Sequence, residues 1–329
     1  MTIKLKHDHS SSDMGCDKSI ESVAQPENMM MKQKSIEEIR RQVESVYELP
    51  MIPEMASRIL HLSADPAASV KDVVEVVEMD PSLAAQVIRY ARSPFFGYQG
   101  NVDTIHEAIS RVLGFDLVMN IALGISSGKV FNIPEDGPLG TKAFWRHAIH
   151  TAALTQALGK AMPRQMRPKA GTAYLTGLLH NIGFMLLGHL FRPEFMVLNK
   201  LAAARPGISI AELEKRILGM GHARHVVNMG HCQLGDWLMQ SWKMPQEVII
   251  TVREHHNEDY KGEHALYSRL TLVANRMLKR HGIGDARGEQ IPEHILKSLY
   301  LSEELVERIF EQVMEGTDSL DAMALQVAA

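Results

Sequence analysis
The sequence predicts an all-α protein, a compact bundle of many helices. Three observations carry that expectation. Apolar residues recur at three- and four-residue spacing through most of the chain. Ser or Asp caps open several of those stretches. No convincing run alternates apolar and polar residues, and no Asn-Gly or Asp-Gly pair joins two such runs. A chain of 329 residues, 45% of them hydrophobic, can bury one large core or two modest ones.

Residues 1 to about 34 are polar, contain Ser10-Ser11-Ser12 and lack an apolar period, so a mobile arm is expected there. Ser35 with Glu38 makes a capping box ahead of Ile36, Ile39, Val43 and Val46. Ser69 with Asp72 repeats the device ahead of Val70, Val73, Val74 and Val77. Asp80 is an N-cap with Pro81 at the first helical position, followed by Leu83, Val87 and Ile88. Ile105, Ala108, Ile109, Val112 and Leu113 form a stripe that Gly114 is suited to end. Pro134 to Gly140 is a Pro-rich loop and the best boundary between an N-terminal helical half and a His-rich C-terminal half.

Ser209 with Glu212 opens a helix through Leu213 and Ile217, with Gly219 as its stop. Val248, Val252, His255 and His256 share one helix face, and Leu266, Leu270, Val273 and Met277 share another. Leu305, Ile309 and Val313 make the closing helix, ending at Gly316. No repeat of fixed period is present.

Composition excludes several classes of function. Lys and Arg total 35 against 39 Asp and Glu, a formal net charge of −4. With no dense basic stretch, a nucleic-acid partner is not expected, and Arg40-Arg41 reads as a solvated helix face. Cys16 and Cys232 are the only cysteines, too few for a disulfide framework, a Cys-rich zinc ribbon or an iron–sulfur cluster. The N-terminal stretch has no apolar run long enough for a signal peptide, and a cytoplasmic location is expected. Ala170 to Phe191 carries no charged residue and is long enough to span a bilayer. Thr172, Thr176, His180, Asn181 and His189 interrupt it, so buried core is expected instead of a membrane span.

Sixteen histidines stand out. His147 and His150 lie three apart beside Trp145 and can share a helix face. His180 and Asn181 sit inside the uncharged segment, His222, His225 and His231 follow, and His255-His256 ends an apolar helix. Imidazole suits zinc, iron, nickel and copper. A hydrolytic metal site would also need carboxylates, and Asp236 and Glu254 do not obviously face His180. Spacing alone favours ordinary surface or hydrogen-bonded core histidines over a metal site. Gly219-Met220-Gly221 and Gly282-Ile283-Gly284 lack the preceding strand of a dinucleotide loop. Cys232 reads as a buried structural thiol and the 20 methionines as core filling.

Several ordered motifs resemble the HDOD domain, the HD-related output domain of bacterial signalling proteins. Leu49-Pro50-Met51-Ile52-Pro53 resembles its LPxxP opening. Asp80-Pro81-Ser82-Leu83 and Arg89 to Gly97 resemble its DPxL…ANSxxFG segment, with Arg92 in place of Asn. Ile105 to Gly114 resembles its AIxxLG helix, Trp145 to His147 its W-x-H motif, and Gly177 to Gly183 its GLLHDIG motif. Gly230-His231 through Gly235, Trp242 to Pro245 and His255-His256 resemble its C-terminal tail, and Val273-Ala274-Asn275 resembles its AN pair. His222 to Met229 looks like a small insertion.

The resemblance implies an HD-type helical bundle divided into an arm (1–34), an N-terminal helical half (35–138), an HD-like half (139–280) and a helical extension (281–329). Related HD-type phosphohydrolases hold metal with a His, a His-Asp pair and a later Asp. Carried over, those positions are His147, His180, Asn181 and Asn275, so both acids are amides. Neutral amides weaken a hard divalent site, and no cofactor is expected. His147, His180, His231, His255 and His256 retain the capacity to hold a softer metal if they converge. The resemblance therefore implies a non-catalytic signalling output module. It would have a protein partner, a vestigial pocket of His147, His180, Asn181, His231, His255, His256 and Asn275, and room for a small ligand. The alternative is a metal-dependent phosphohydrolase acting on a nucleotide or cyclic dinucleotide.

Overall fold
The computed structural model describes residues 48–217, 230–284 and 290–329. The arm, the Ser35 capping box, Arg40-Arg41, Gly219-Met220-Gly221 and His222 to Met229 lie outside the described residues. Among the described residues every regular element is helical and there is no strand.

The first three helices are α1 (Glu54–Ser63), α2 (Val70–Glu78) and α3 (Pro81–Arg92). The caps of α2 and α3 are those the sequence predicts. Ser69 Oγ accepts from the Asp72 amide while Asp72 Oδ2 accepts from the Ser69 amide at 2.8 Å. Asp80 Oδ1 accepts from the Leu83 amide at 3.0 Å. Each cap is worth about 1 kcal/mol. Arg92, which stands where the resembled motif has Asn, donates Nε–H to the Val102 carbonyl at 2.7 Å and pairs with Asp103. The stripe after it departs from expectation. Ile105–Glu107 is α-helical, but Ala108–Leu113 is π-helical. The Gly114 amide closes that segment on the Ile109 carbonyl, five residues back, at 2.9 Å, with Gly114 at φ +80°.

The centre of the fold is built by α4 (Phe115–Gly128), α5 (Thr141–Ala161) and α6 (Ala170–Leu179). α6 packs against both α4 and α5. The uncharged segment is not one rod: α6 stops at Leu179 and α7 (Ile182–Leu190) begins two residues after His180. Both helices are almost entirely buried in protein, and no helix among the described residues is long and apolar enough to cross a membrane.

α8 (Arg192–Ala204) and α9 (Ile210–Ile217) follow, with Ser209 Oγ accepting from the Glu212 amide at 3.2 Å. α10 (Gly230–Ser241) then packs across α7. Gly183 makes that crossing possible, because a Cβ there would lie 1.8 Å from the His231 carbonyl oxygen. α11 (Gln246–Glu254) is shorter than its pattern predicts: His255 is its C-cap and His256 lies beyond it. α12 (Ala265–Arg280) carries Asn275 inward. The Trp242 indole N–H donates to the Pro50 carbonyl at 2.8 Å, joining the first and a late motif of the sequence.

The C-terminal extension holds α13 (Glu293–Ser298), α14 (Glu303–Met314) and α15 (Thr317–Ala328). The chain was expected to end its helices at Gly316, and α15 corrects that expectation. Leu320, Met323 and Ala324 share a buried face of α15, which packs on α5. Asp321 receives Arg146 Nε–H at 2.8 Å. One buried apolar cluster takes in residues from Ala56 to Ala324.

Candidate functional site
The break between α6 and α7 positions the centre of the site. His180 caps the C-terminus of α6 and donates Nδ1–H to the Gly177 carbonyl at 2.7 Å. A carbonyl only accepts, so the ring carries its proton on Nδ1. His147 reaches the break from the middle of α5 and Asn275 from α12. His147 Nε2–H donates to Asn275 Oδ1 at 3.1 Å, and Asn181 Nδ2–H meets His147 Nδ1 at 3.4 Å. Both ring nitrogens of His147 are thus held by amides.

From this centre the imidazoles form a row. His147 and His180 lie 5.0 Å apart between ring centroids, edge to face, and His180 and His255 repeat that geometry at 5.0 Å. His255 then meets His256 at 4.2 Å and His231 at 5.5 Å. The structure therefore brings together all seven residues singled out in the sequence. Six are buried, and His256 is half-buried.

The far end of the row is built around His231. Its ring stacks on Phe184 at 4.0 Å. Glu214 on α9, itself buried, accepts the His231 backbone N–H and Nδ1–H, each at 2.9 Å. Burial opposes charge on this ring, but Cys232 and Glu214 outweigh it and lift the His231 pKa well above its ordinary value. His231 Nε2 lies 3.2 Å from His256 Nε2 and 3.4 Å from Cys232 Sγ. Cys232 is half-buried, not the buried thiol expected from the sequence, and its Sγ lies beside the His231 ring at the start of α10. Glu214 escapes sequence reasoning, since nothing in its local pattern separates it from an ordinary helix-face glutamate.

Other sequence candidates go elsewhere. His150 does not join His147. Its Nδ1–H donates to the Arg146 carbonyl at 2.8 Å, and Nε2 faces Asp321 and Thr317 on α15, each at 3.4 Å. Burial lowers the His150 pKa, although the Arg146 carbonyl and Asp321 favour its charged form. Asp236 and Glu254 are engaged by Arg253. Gly282-Ile283-Gly284, with no phosphate-loop context, forms part of the cavity wall instead. Gly284, at φ +106°, has its virtual Cβ 2.9 Å from His147 Nε2, so only glycine fits this approach without displacing the ring.

A cavity of about 220 Å³ opens on this centre, lined by Phe144, Arg146, His147, Asn181, Phe184 and Gly284. Asn181 Oδ1 and Asn275 Nδ2 are buried and have no hydrogen-bond partner among the described residues. Of the two, only Asn181 belongs to the cavity wall, where its Oδ1 is an acceptor. The four residues that the resemblance assigns to an HD-type centre do not fit a hard divalent ion: His147, His180, Asn181 and Asn275 include no carboxylate, and the amides occupy both nitrogens of His147.

Comparison with known proteins agrees with this architecture. The HDOD domain profile matches residues 49–258. A proposed signal-transduction protein from Marinobacter aquaeolei VT8, solved by crystallography, is 36% identical with a TM-score of 0.75, covering 92% of this chain and 68% of that one. An HDOD domain protein of unknown function from Geobacter sulfurreducens shares the fold at 21% identity and TM-score 0.68, covering 88% and 96%. A proposed phosphohydrolase from Shewanella amazonensis SB2B does so at 20% identity and TM-score 0.64, covering 88% and 97%. An uncharacterised protein of Treponema pallidum (strain Nichols) is 24% identical over 301 residues, which cover 92% of this chain. The chain spans only 56% of the length of that curated relative. With the profile matched over most of its length and the helical framework shared with these structures, the chain belongs to the HDOD family.

Proposed function
We propose that the chain is a non-catalytic output module of signal transduction, relaying a signal through contacts with a protein partner. The observation that carries this reading is that Asn181 and Asn275 hold His147 between them, at positions where the resemblance to HD-type enzymes calls for acids. A water molecule there would lack the cation that lowers its pKa and the carboxylates that hold that cation. The proposed signalling role of the Marinobacter relative, at 36% identity, supports the same assignment. The cavity beside His147 suits a small polar ligand, because its wall includes Arg146 and Asn181, whose buried Oδ1 has no other partner among the described residues. A nucleic acid or a membrane is not its partner in this reading, and its place of action is the cytoplasm.

The test is direct. Purified protein is incubated with nucleotides, cyclic dinucleotides and phosphomonoesters in manganese or magnesium. No turnover above buffer is expected. Metal-dependent hydrolysis that disappears in His180→Ala would overturn the proposal and select the phosphohydrolase alternative.

A further inference from the structure
We propose that a second cleft, walled by Phe95 and Phe96, the last two turns of α5 and one face of α14, binds a small aromatic organic acid. The cleft holds about 770 Å³, within the range of about 300–1,000 Å³ usual for small-molecule sites. It shares no wall residue with the cavity at His147. Two stretches singled out in the sequence, Phe95-Phe96 and Leu113-Gly114, meet in it, and the cavity at His147 uses neither.

One part of the wall is aromatic and apolar. Phe95 and Phe96 stand edge to face with 4.9 Å between ring centroids, and Phe115 lies in the same wall. All three are half-buried, so each keeps part of its side chain accessible. Buried Ile309 and Val313 of α14 complete that surface. Phenyl rings favour another ring packed offset or edge-on, at centroid separations of about 4.5–7 Å.

The other part is polar and positive. Gln156 and Lys160 lie four residues apart on α5 and so share a face. Gln156 is 1% exposed; its Nε2–H donates to the Ala170 carbonyl at 3.3 Å, while Oε1 is a buried acceptor with no partner among the described residues. Such an acceptor calls for a donor from a ligand or a water held with it. Lys160 is exposed and has no ion-pair partner among the described residues. The protein around its ammonium displaces water and lowers its pKa, and no acidic side chain counters that effect. The stretch from Lys160 to Ala170, which begins and ends in the wall, adds Arg164, Arg167 and Lys169 and no acid. Of the two carboxylates in the wall, Asp116 is engaged by the Gly171 amide at 2.8 Å and by Asn120 Nδ2 at 3.2 Å, and Glu315 is exposed to water. The balance of charge therefore draws an anion to the Lys160 end.

Anilinonaphthalenesulfonate is a fitting probe, with aromatic rings, an N–H donor and a fixed negative charge. Phenylnaphthylamine carries the same rings and N–H without the charge. Full-length protein is titrated with each dye, and affinity and stoichiometry are read by fluorescence and calorimetry. One saturable sulfonate site per chain is expected, about 10-fold tighter than for the neutral dye. That comparison needs no substitution. Lys160→Met, which keeps the stem and removes the charge, should erase the difference and leave the neutral dye unchanged. Gln312→Trp, at an exposed wall position, should fill the cleft and weaken both dyes by about 10-fold or more. Near-ultraviolet circular dichroism that matches wild type checks the packing of each variant. The readouts are binding alone, so the outcome is independent of whether the His147 centre turns over a phosphate ester. Absence of saturable sulfonate binding would overturn the inference, as would equal affinity for the two dyes or a charge preference that survives Lys160→Met. Binding untouched by Gln312→Trp would put the dye elsewhere and overturn it as well.

Discussion

Restoring the two acids is the sharpest way to probe the pocket. Asn181 and Asn275 are 3% and 1% exposed, so Asn181→Asp with Asn275→Asp places two carboxylates in protein interior. One oxygen of the second carboxylate would sit where Asn275 Oδ1 now lies, 3.1 Å from His147 Nε2. At an effective dielectric constant of about 20, a carboxylate and an imidazolium at that separation attract by about 5 kcal/mol. One acid can therefore recruit a proton onto His147, while the other has no cationic partner and costs about 1–3 kcal/mol or more. The double variant should be less stable than wild type in chelator. Manganese, a hard ion that suits carboxylates, should reverse the loss. Saturation at a hundredfold excess over Kd contributes about 2.7 kcal/mol. At about 2–4 °C per kcal/mol for a domain of this size, Tm should rise by about 5–10 °C. Scanning fluorimetry in chelator and in manganese reads this directly, with wild type shifting negligibly. An equal manganese response in wild type and double variant would refute the assignment of Asn181 and Asn275 to ligand positions.

Three other outcomes follow from the packing. Gly183→Ala must move α7 away from α10, because its Cβ would stand 1.8 Å from backbone oxygen that has no rotamer to change; a loss of about 3 kcal/mol or more in urea unfolding is expected. Trp242→Phe removes the donor to the Pro50 carbonyl and should cost about 1–3 kcal/mol in the same assay without altering helix content by circular dichroism. Burial lowers the His150 pKa, so its folded value lies below the ordinary 6.5. As pH falls through 6.5 the unfolded chain takes up that proton first, and stability is lost progressively until the folded pKa is passed. His150→Asn should remove this component, seen as a smaller difference in unfolding free energy between about pH 7 and about pH 5 than wild type shows.

Local chemistry made much of the fold legible. Ser69 with Asp72, Asp80 with Pro81, and Ser209 with Glu212 start helices where their side chains satisfy amides within three residues. The uncharged segment reads as core because His180 and Asn181 need partners that lipid lacks. What escaped depends on distant neighbours. Nothing near His147 and His150 says that a spacing of three residues sends one ring to Asn275 and the other to Asp321. Glu214 is 17 residues from His231 and becomes its partner only once α9 meets α10. Gly284 looks like a loop glycine until His147 lies against it. The pattern of α15 was visible in Leu320, Met323 and Ala324, but Gly316 resembled a terminus and masked it.

His150, His180 and His255 solve the same local problem in the same way. Each ring leans back along its own helix and gives its Nδ1 proton to a carbonyl three or four residues earlier. The partner that orients each ring lies within one helical turn of it and belongs to no neighbouring helix. A lineage could therefore lose the acids of such a pocket one at a time without the remaining rings swinging out of place, so chemistry can fade while architecture persists.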